Sequence, residues 1–160
     1  MTTIHKIIPH LWYAKDAEQA ARFYASIFPD SRVDCVTTMP ETPSGPPGSV
    51  TVVEFTLLGQ PFQALSAGPL DEFNHSISFM VNCDTQDEID RYWDALADGG
   101  TIEQCGWVRD RYGLCWQIVP TALQQMMADE DRDKVRRATE AFLQMKKFDI
   151  AALQRAFEGR

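Results

Sequence analysis

The stretch Trp107-Val-Arg-Asp-Arg-Tyr-Gly-Leu-Cys-Trp-Gln-Ile-Val-Pro120 decides the fold. It predicts two β-strands joined by a tight turn at Tyr112-Gly113, because β-forming residues lie on both sides of that turn. Gln117 lies in the middle of the second strand, four residues after the turn glycine. The same spacing occurs in Gly59-Gln-Pro-Phe-Gln63, which indicates an internal repeat.

The repeat includes the segments that precede these two hairpins. A helix is predicted after Asp16, with Gln19 in capping-box spacing, and another after Thr85, with Glu88 in the same spacing. Predicted strands are 4–13, 33–39, 50–58 and 61–66 in the first half, and 75–83, 101–110 and 114–119 in the second. The order predicts two βαβββ modules, and the second must have short middle strands.

After Pro120 the pattern changes to helices, predicted at 121–128, at 133–147 and after Asp149. We interpret residues 1–160 as one domain, with module one at 1–70, module two at 71–120 and a helical extension at 121–160. The apolar stripe of the extension indicates packing against the domain or a second subunit.

Composition narrows the class of protein. The 160 residues are 44% hydrophobic and carry a formal charge of −8, which disfavours nucleic acid and anionic membranes as partners. No apolar run approaches the ~20 residues of a membrane span, and no signal-peptide pattern is present. We therefore expect a cytoplasmic protein. Its four cysteines form no C-x-x-C pair and are expected to be free thiols.

Five segments carry a resemblance to a known family: Phe-Tyr-x-x-Ile-Phe-Pro-Asp-Ser (23–31), Gly-Ser-Val-x-x-Val-Glu-Phe-x-Leu-x-Gly-Gln-Pro-Phe (48–62), Gln-Cys-Gly-Trp (104–107), Tyr-Gly-Leu-x-Trp-Gln-Ile-Val-Pro (112–120) and Gln-Met-Lys-Lys-x-Asp-Ile (144–150). They resemble the PhnB-like subgroup of the vicinal-oxygen-chelate superfamily, which includes glyoxalases, extradiol dioxygenases and bleomycin-resistance proteins. The resemblance implies an α+β, glyoxalase-like fold, in which two βαβββ modules form a curved mixed sheet around a cavity, and a homodimer. Members of the subgroup often carry the label 3-demethylubiquinone-9 3-methyltransferase.

In metal-dependent relatives, His and Glu side chains on the concave strands bind the metal. The resemblance places Gln117 at the last glutamate position, and the internal repeat places Gln63 at the equivalent one. Since an amide oxygen lacks the charge of a carboxylate, no tightly bound divalent metal is favoured. Counting back from the helix cap places the metal-ligand position of the first strand near Pro9. His10 is one residue away, so its side chain is predicted on the opposite face of the strand.

Other side chains are candidates for the cavity wall. Alternation predicts that Ser76, Ser78 and Met80 face the cavity, and that His75 lies on the other face or at the strand edge. Glu54 is interpreted either as a general base in the cavity or as an exposed or ion-paired residue. Trp107 is a candidate for the cavity wall, whereas Trp116 is predicted to be core.

The favoured hypothesis is a small-molecule-binding protein without a tightly bound metal. Its predicted ligand-binding residues are His10, Glu54, Gln63, Ser76, Ser78, Trp107 and Gln117. The alternative is a metal-dependent enzyme of glyoxalase or dioxygenase type, with His10, His75 and Glu54 as metal ligands. A third hypothesis, methyl transfer, requires an S-adenosylmethionine site. The strand-to-helix segment Trp12–Asp16 contains no glycine for such a site.

Overall fold

The computed structural model describes residues 5–160, and the chain packs as two compact units that divide after Asp71. Each unit contains one βαβββ module, and the second also contains three C-terminal helices. The predicted succession of two βαβββ modules and a helical extension is therefore confirmed.

The first unit is a four-stranded mixed sheet with one helix. Its elements are β1 (His10–Tyr13), α1 (Ala17–Ile27), β2 (Arg32–Thr38), β3 (Thr51–Leu57) and β4 (Gln60–Ser66). The strand order is β1-β4-β3-β2, and only the β1–β4 pair is parallel. The buried face of α1 packs on one side of this sheet. The core consists of Leu11, Ala17, Ala20, Ala21, Tyr24, Val53, Phe55, Phe62 and Ala64.

The second module repeats this topology. Its elements are β5 (Phe79–Cys83), α2 (Gln86–Ala97), β6 (Thr101–Ile102), β7 (Trp107–Arg109) and β8 (Cys115–Pro120). The strand order is β5-β8-β7-β6, with β5 and β8 parallel, and the middle strands are short as predicted. The core between α2 and the sheet consists of Val81, Ile89, Tyr92, Trp93, Leu96, Val108, Trp116 and Ile118.

The C-terminal helices are α3 (Thr121–Met127), α4 (Arg132–Phe142) and α5 (Ile150–Glu158). Gln86, in the first turn of α2, connects them to the module. Its Nε2 donates to the Phe148 carbonyl at 3.0 Å, and its Oε1 accepts from the Ile150 N–H at 2.9 Å. Backbone bonds from Cys105 to Met145 and from Gly106 to Lys146, both 2.8 Å, complete the connection. The extension is thus part of the second unit.

Several element boundaries differ from the prediction. The strand predicted at 75–83 begins only at Phe79, because Asn74 Oδ1 accepts the Ser76 N–H and holds a turn before it. Ile77, which the same alternation predicts on the packed face between Ser76 and Ser78, is 70% exposed for the same reason. The helix predicted at 133–147 is Arg132–Phe142. The part of the strand prediction that covers residues 1–4 lies outside the described residues.

The capping predictions had mixed outcomes. The Thr85 and Asp149 side chains cap α2 and α5 as predicted, accepting from the Glu88 and Ala152 N–H groups. Asp16 is the N-cap residue of α1, as predicted, but its side chain makes no such bond. Within residues 5–160, no helix has the length and apolar character needed to cross a membrane.

Candidate functional site

The face of the first sheet opposite α1, here called its open face, carries a row of polar side chains. His10 on β1 pairs with Gln63 on β4, Gln63 pairs with Glu54 on β3, and Glu54 pairs with Cys35 on β2. Residues paired across strands point to the same side of a sheet. The alternation of buried and accessible positions in β1, β3 and β4 places His10, Glu54 and Gln63 opposite the helix, and the pairing with Glu54 places Cys35 there too.

The polar groups of this row are available for a ligand. Within residues 5–160, the side chains of His10, Gln63 and Glu54 make no hydrogen bond or ion pair. The next row on the same face is apolar and consists of Trp12, Leu65 and Val52. Adjacent strands lie ~4.8 Å apart, so the row extends about 10 Å from His10 to Glu54. An imidazole, an amide and a carboxylate therefore lie in line beside an apolar surface.

The second sheet has an equivalent row on the face opposite α2, its open face. Met80 on β5 pairs with Gln117 on β8, and Gln117 pairs with Trp107 on β7. Glu103 lies beyond Trp107, since its N–H donates to the Trp107 carbonyl at 3.0 Å. Because the two sheets share one strand order, Gln117 is equivalent to Gln63, as the repeat predicted.

In contrast to the first row, the second is joined by internal hydrogen bonds. Gln117 Nε2 donates to Ser78 Oγ at 2.8 Å. His75 Nε2 donates to Glu103 Oε2 at 2.7 Å, and Arg109 donates through Nη2 to His75 Nδ1 at 3.4 Å. In this arrangement Nε2 carries the hydrogen that Glu103 accepts, and Nδ1 is the acceptor for Arg109.

Arg109 shares the open face with Trp107 and pairs with Cys115 on β8. Its Nε is buried and has no hydrogen-bond acceptor within the described residues. Burial raises the pKa of the Cys115 thiol, and the nearby Arg109 charge opposes that shift only in part. Cys115 is therefore a poor nucleophile. Burial also raises the pKa of Cys83 to about 12, with Glu88 and Asp84 adding to the effect.

The donor atoms at the equivalent positions of the two rows are imidazole nitrogen, amide oxygen and thioether sulfur. The pair in the first sheet is His10 with Gln63, and the equivalent pair in the second is Met80 with Gln117. Neither pair contains a carboxylate, and thioether sulfur is a ligand for soft metals. Among residues 5–160, no three His, Cys, Asp or Glu side chains are arranged to hold a metal ion.

The structure brings some predicted site residues together and separates others. His10 was expected one residue out of register, but β1 begins at His10, which lies on the same face as Gln63. Ser78 bonds to Gln117, as expected from the prediction that both side chains lie on the same face of the sheet. Ser76 lies in the turn before β5 and does not join the row. His75, proposed as a metal ligand, instead bonds to Glu103.

Glu103 and Arg109 are site candidates that the sequence interpretation missed. Arg109 is two residues from Trp107 in the same strand. Alternation would have been enough to predict that both side chains lie on one face. Glu103 is brought opposite Trp107 by the turn 104–106, in which Cys105 and Gly106 both have positive φ. The sequence gave no clear sign that Cys105, which is not a glycine, adopts a positive φ.

Comparison with known proteins identifies the family. The family described as 3-demethylubiquinone-9 3-methyltransferase matches residues 5–119, which end within β8, two residues before α3. The chain belongs to this family. The PhnB protein of Bacillus cereus, described with the same methyltransferase name, is 31% identical; the match covers 73% of this chain and 100% of that one, with a TM-score of 0.65. No curated protein matches the chain.

Two more distant structures share the fold. A protein of Pseudomonas aeruginosa is 19% identical with a TM-score of 0.61, over 73% of this chain and 98% of that one. The fosfomycin resistance protein FosX of Listeria monocytogenes is 14% identical with a TM-score of 0.58, over 80% and 100% of the two chains. These similarities confirm the glyoxalase-like fold class that the sequence predicted, and at this identity they show the fold alone.

Proposed function

We propose that this chain binds small polar molecules, without a tightly bound metal, at the polar row on the open face of each sheet taken by itself. The observation that carries the proposal is the row His10–Gln63–Glu54, whose polar groups make no hydrogen bond within the described residues. A donor, an amide and an acceptor beside an apolar surface are the groups with which proteins orient a small ligand.

The chemistry of the row also limits the ligand. Gln63 lies between an imidazole and a carboxylate and offers one carbonyl acceptor and two N–H donors. A ligand with a carbonyl or hydroxyl group in its middle satisfies this amide, while its ends reach His10 and Glu54. His10 and Glu54 lie on either side of Gln63, so they are also placed to transfer protons to and from a ligand bound there. Catalytic turnover is therefore compatible with the proposal.

The methyltransferase name of the family is not extended to this chain. The β1–α1 connection is Ala14-Lys15-Asp16 and the β5–α2 connection is Asp84-Thr85, so neither has the glycine-rich turn typical of nucleotide sites. The homodimer and the cytoplasmic location stay predictions that accompany this proposal.

The proposal predicts that small polar fragments perturb the side-chain amide signals of Gln63 in nuclear magnetic resonance titrations. Gln63→Ala is expected to weaken such fragments about tenfold, because it removes one or two hydrogen bonds to the ligand. Gln60→Ala is the matched control: its amide, on the same strand, bonds to the Pro61 carbonyl at 3.1 Å. Fragments that bind Gln63→Ala as tightly as the native protein would refute the assignment.

A further inference from the structure

Arg109 is the one lysine or arginine in the four strands of the second sheet. It lies on the open face, next but one to Trp107 in β7 and opposite Cys115 in β8. Its side chain is 39% exposed, so its stem is covered while part of the guanidinium is accessible. In a chain of net charge −8, this cation requires an explanation.

The neighbours of Arg109 contact its guanidinium but do not provide short hydrogen bonds for all of its N–H groups. The nearest approach to Glu103 is 3.8 Å, between Nη2 and Oε1, and the bond to His75 Nδ1 is 3.4 Å. Charge-assisted hydrogen bonds between guanidinium and carboxylate are typically ~2.8 Å. The carboxylate of Glu103 makes its short bond, 2.7 Å, to His75 instead. A purely structural ion pair would bring Glu103 directly onto the arginine.

Several donors on this face are left over for a ligand. Arg109 Nη1 has no acceptor within residues 5–160 and, unlike Nε, is not buried. Trp107 Nε1–H likewise has no acceptor there and is not buried. A guanidinium with free N–H groups beside an indole N–H matches a carboxylate, which accepts hydrogen bonds at both oxygens.

The surface beside Arg109 is suited to a planar group. Trp107 lies directly opposite Gln117, and its ring lies 5.6 Å from the ring of His75. Met80, on the other side of Gln117, is 52% exposed. Aromatic rings and thioethers both pack well against flat π systems. Trp107, Gln117 and Met80 therefore form one continuous surface across three strands.

We propose that the open face of the second sheet binds a planar organic acid, with Arg109 as the residue that binds its carboxylate and Trp107 as the surface that packs on its planar part. The inference rests on the proposed function, since it names the chemical class of the ligand. His75 and Glu103 act as positioning residues, because the chain Glu103–His75–Arg109 sets the orientation of the guanidinium.

Benzoate and benzamide are the probes that test this assignment, because they have the same shape and differ in charge. Each is titrated into native protein and into the variants while the indole Nε1–H signal of Trp107, which all of them retain, is followed. Benzoate is expected to bind about tenfold tighter than benzamide, as one charge-assisted hydrogen-bonded pair requires. Arg109→Gln is expected to remove this preference, and Arg109→Lys to keep part of it, because lysine retains the charge but not the fork of donors.

Arg136→Gln is the matched control, since it removes the same charge from α4, outside the sheet. It should leave the preference for benzoate intact. The assignment is overturned if benzoate and benzamide bind equally, if neither binds, or if the preference survives in Arg109→Gln. The proposed function survives each of these results when neutral fragments still bind at Gln63. Both fail together when no fragment of either charge binds the open faces.

Discussion

Replacing Asp110 with alanine is expected to lower the free energy of unfolding by about 4 kcal/mol, because three N–H groups lose their acceptor. Asp110 is 3% exposed, and its Oδ2 accepts from the indole Nε1 of buried Trp116 at 2.8 Å. Its Oδ1 accepts from the backbone N–H groups of Tyr112 and Leu114, at 2.8 and 3.1 Å. This carboxylate therefore holds the turn that joins β7 to β8.

The consequence for the site follows from the position of that turn. It sets the register in which Trp107 faces Gln117 and Arg109 faces Cys115. Urea-induced unfolding followed by circular dichroism measures the loss. Asp133→Ala, which removes a carboxylate that is 77% exposed, is the control and should unfold near the native midpoint. A loss for Asp110→Ala below about 0.5 kcal/mol, the range of surface substitutions, would show that the turn does not depend on this carboxylate.

The indole bond can be isolated by a double-mutant cycle. Asp110→Asn keeps an acceptor for the turn, but its second group is an N–H₂ that cannot accept from Trp116. Trp116→Phe removes the indole donor. If this bond is present, the double variant is less destabilised than the sum of the two single variants.

Replacing Gly106 with alanine is expected to destabilise the second unit by about 3 kcal/mol, through backbone strain and overpacking. Gly106 has a φ of 79°. A Cβ built on it would lie 2.5 Å from Phe148 Cε2 and 2.7 Å from the Ile118 carbonyl oxygen. The phenylalanine ring is able to move, but the carbonyl belongs to β8 in the middle of the sheet. The Phe148 segment and the following α5 are therefore expected to loosen.

Gly113→Ala separates the two causes. Gly113 has a φ of 86°, yet nothing lies within 4 Å of a Cβ placed there. It should show the cost of backbone strain alone, about 1 to 2 kcal/mol. Hydrogen exchange measures the loosening of the C-terminal helices. Faster exchange in α4 and α5 is expected in Gly106→Ala and not in Gly113→Ala. Equal losses for the two variants, or unchanged exchange in α4 and α5, would contradict the docking described for the C-terminal extension.

The sequence predicted the modules because local signals and tertiary packing agree there. Both hairpins have a turn glycine followed four residues later by a glutamine, and alternation placed Gln63 and Gln117 on the correct faces. Trp116 was correctly predicted to be core, since it is 2% exposed. In each case a periodicity of two residues was sufficient to infer the face.

The prediction failed where a turn replaced the regular period. His10 was misplaced because counting from the helix cap assumed a regular strand, whereas the parallel pairing with Gln63 sets the register. His75 was assigned to a strand, but the Asn74 side chain bonds to the backbone and delays the strand to Phe79. The Glu103–His75–Arg109 chain depends on that turn and on the positive φ of Cys105, so no periodicity could predict it.

The most direct test of the central claim is the affinity of a fragment that binds at Gln63, measured first after exhaustive dialysis against EDTA and again with Mn²⁺, Ni²⁺, Zn²⁺ or Fe²⁺ added. We expect the same affinity within about twofold and no rise in Tm on adding metal, because binding by amide and imidazole groups needs no ion. An affinity that exists only with metal and is lost in His10→Ala would contradict that claim. That result would favour the alternative hypothesis, a metal-dependent enzyme of glyoxalase or dioxygenase type.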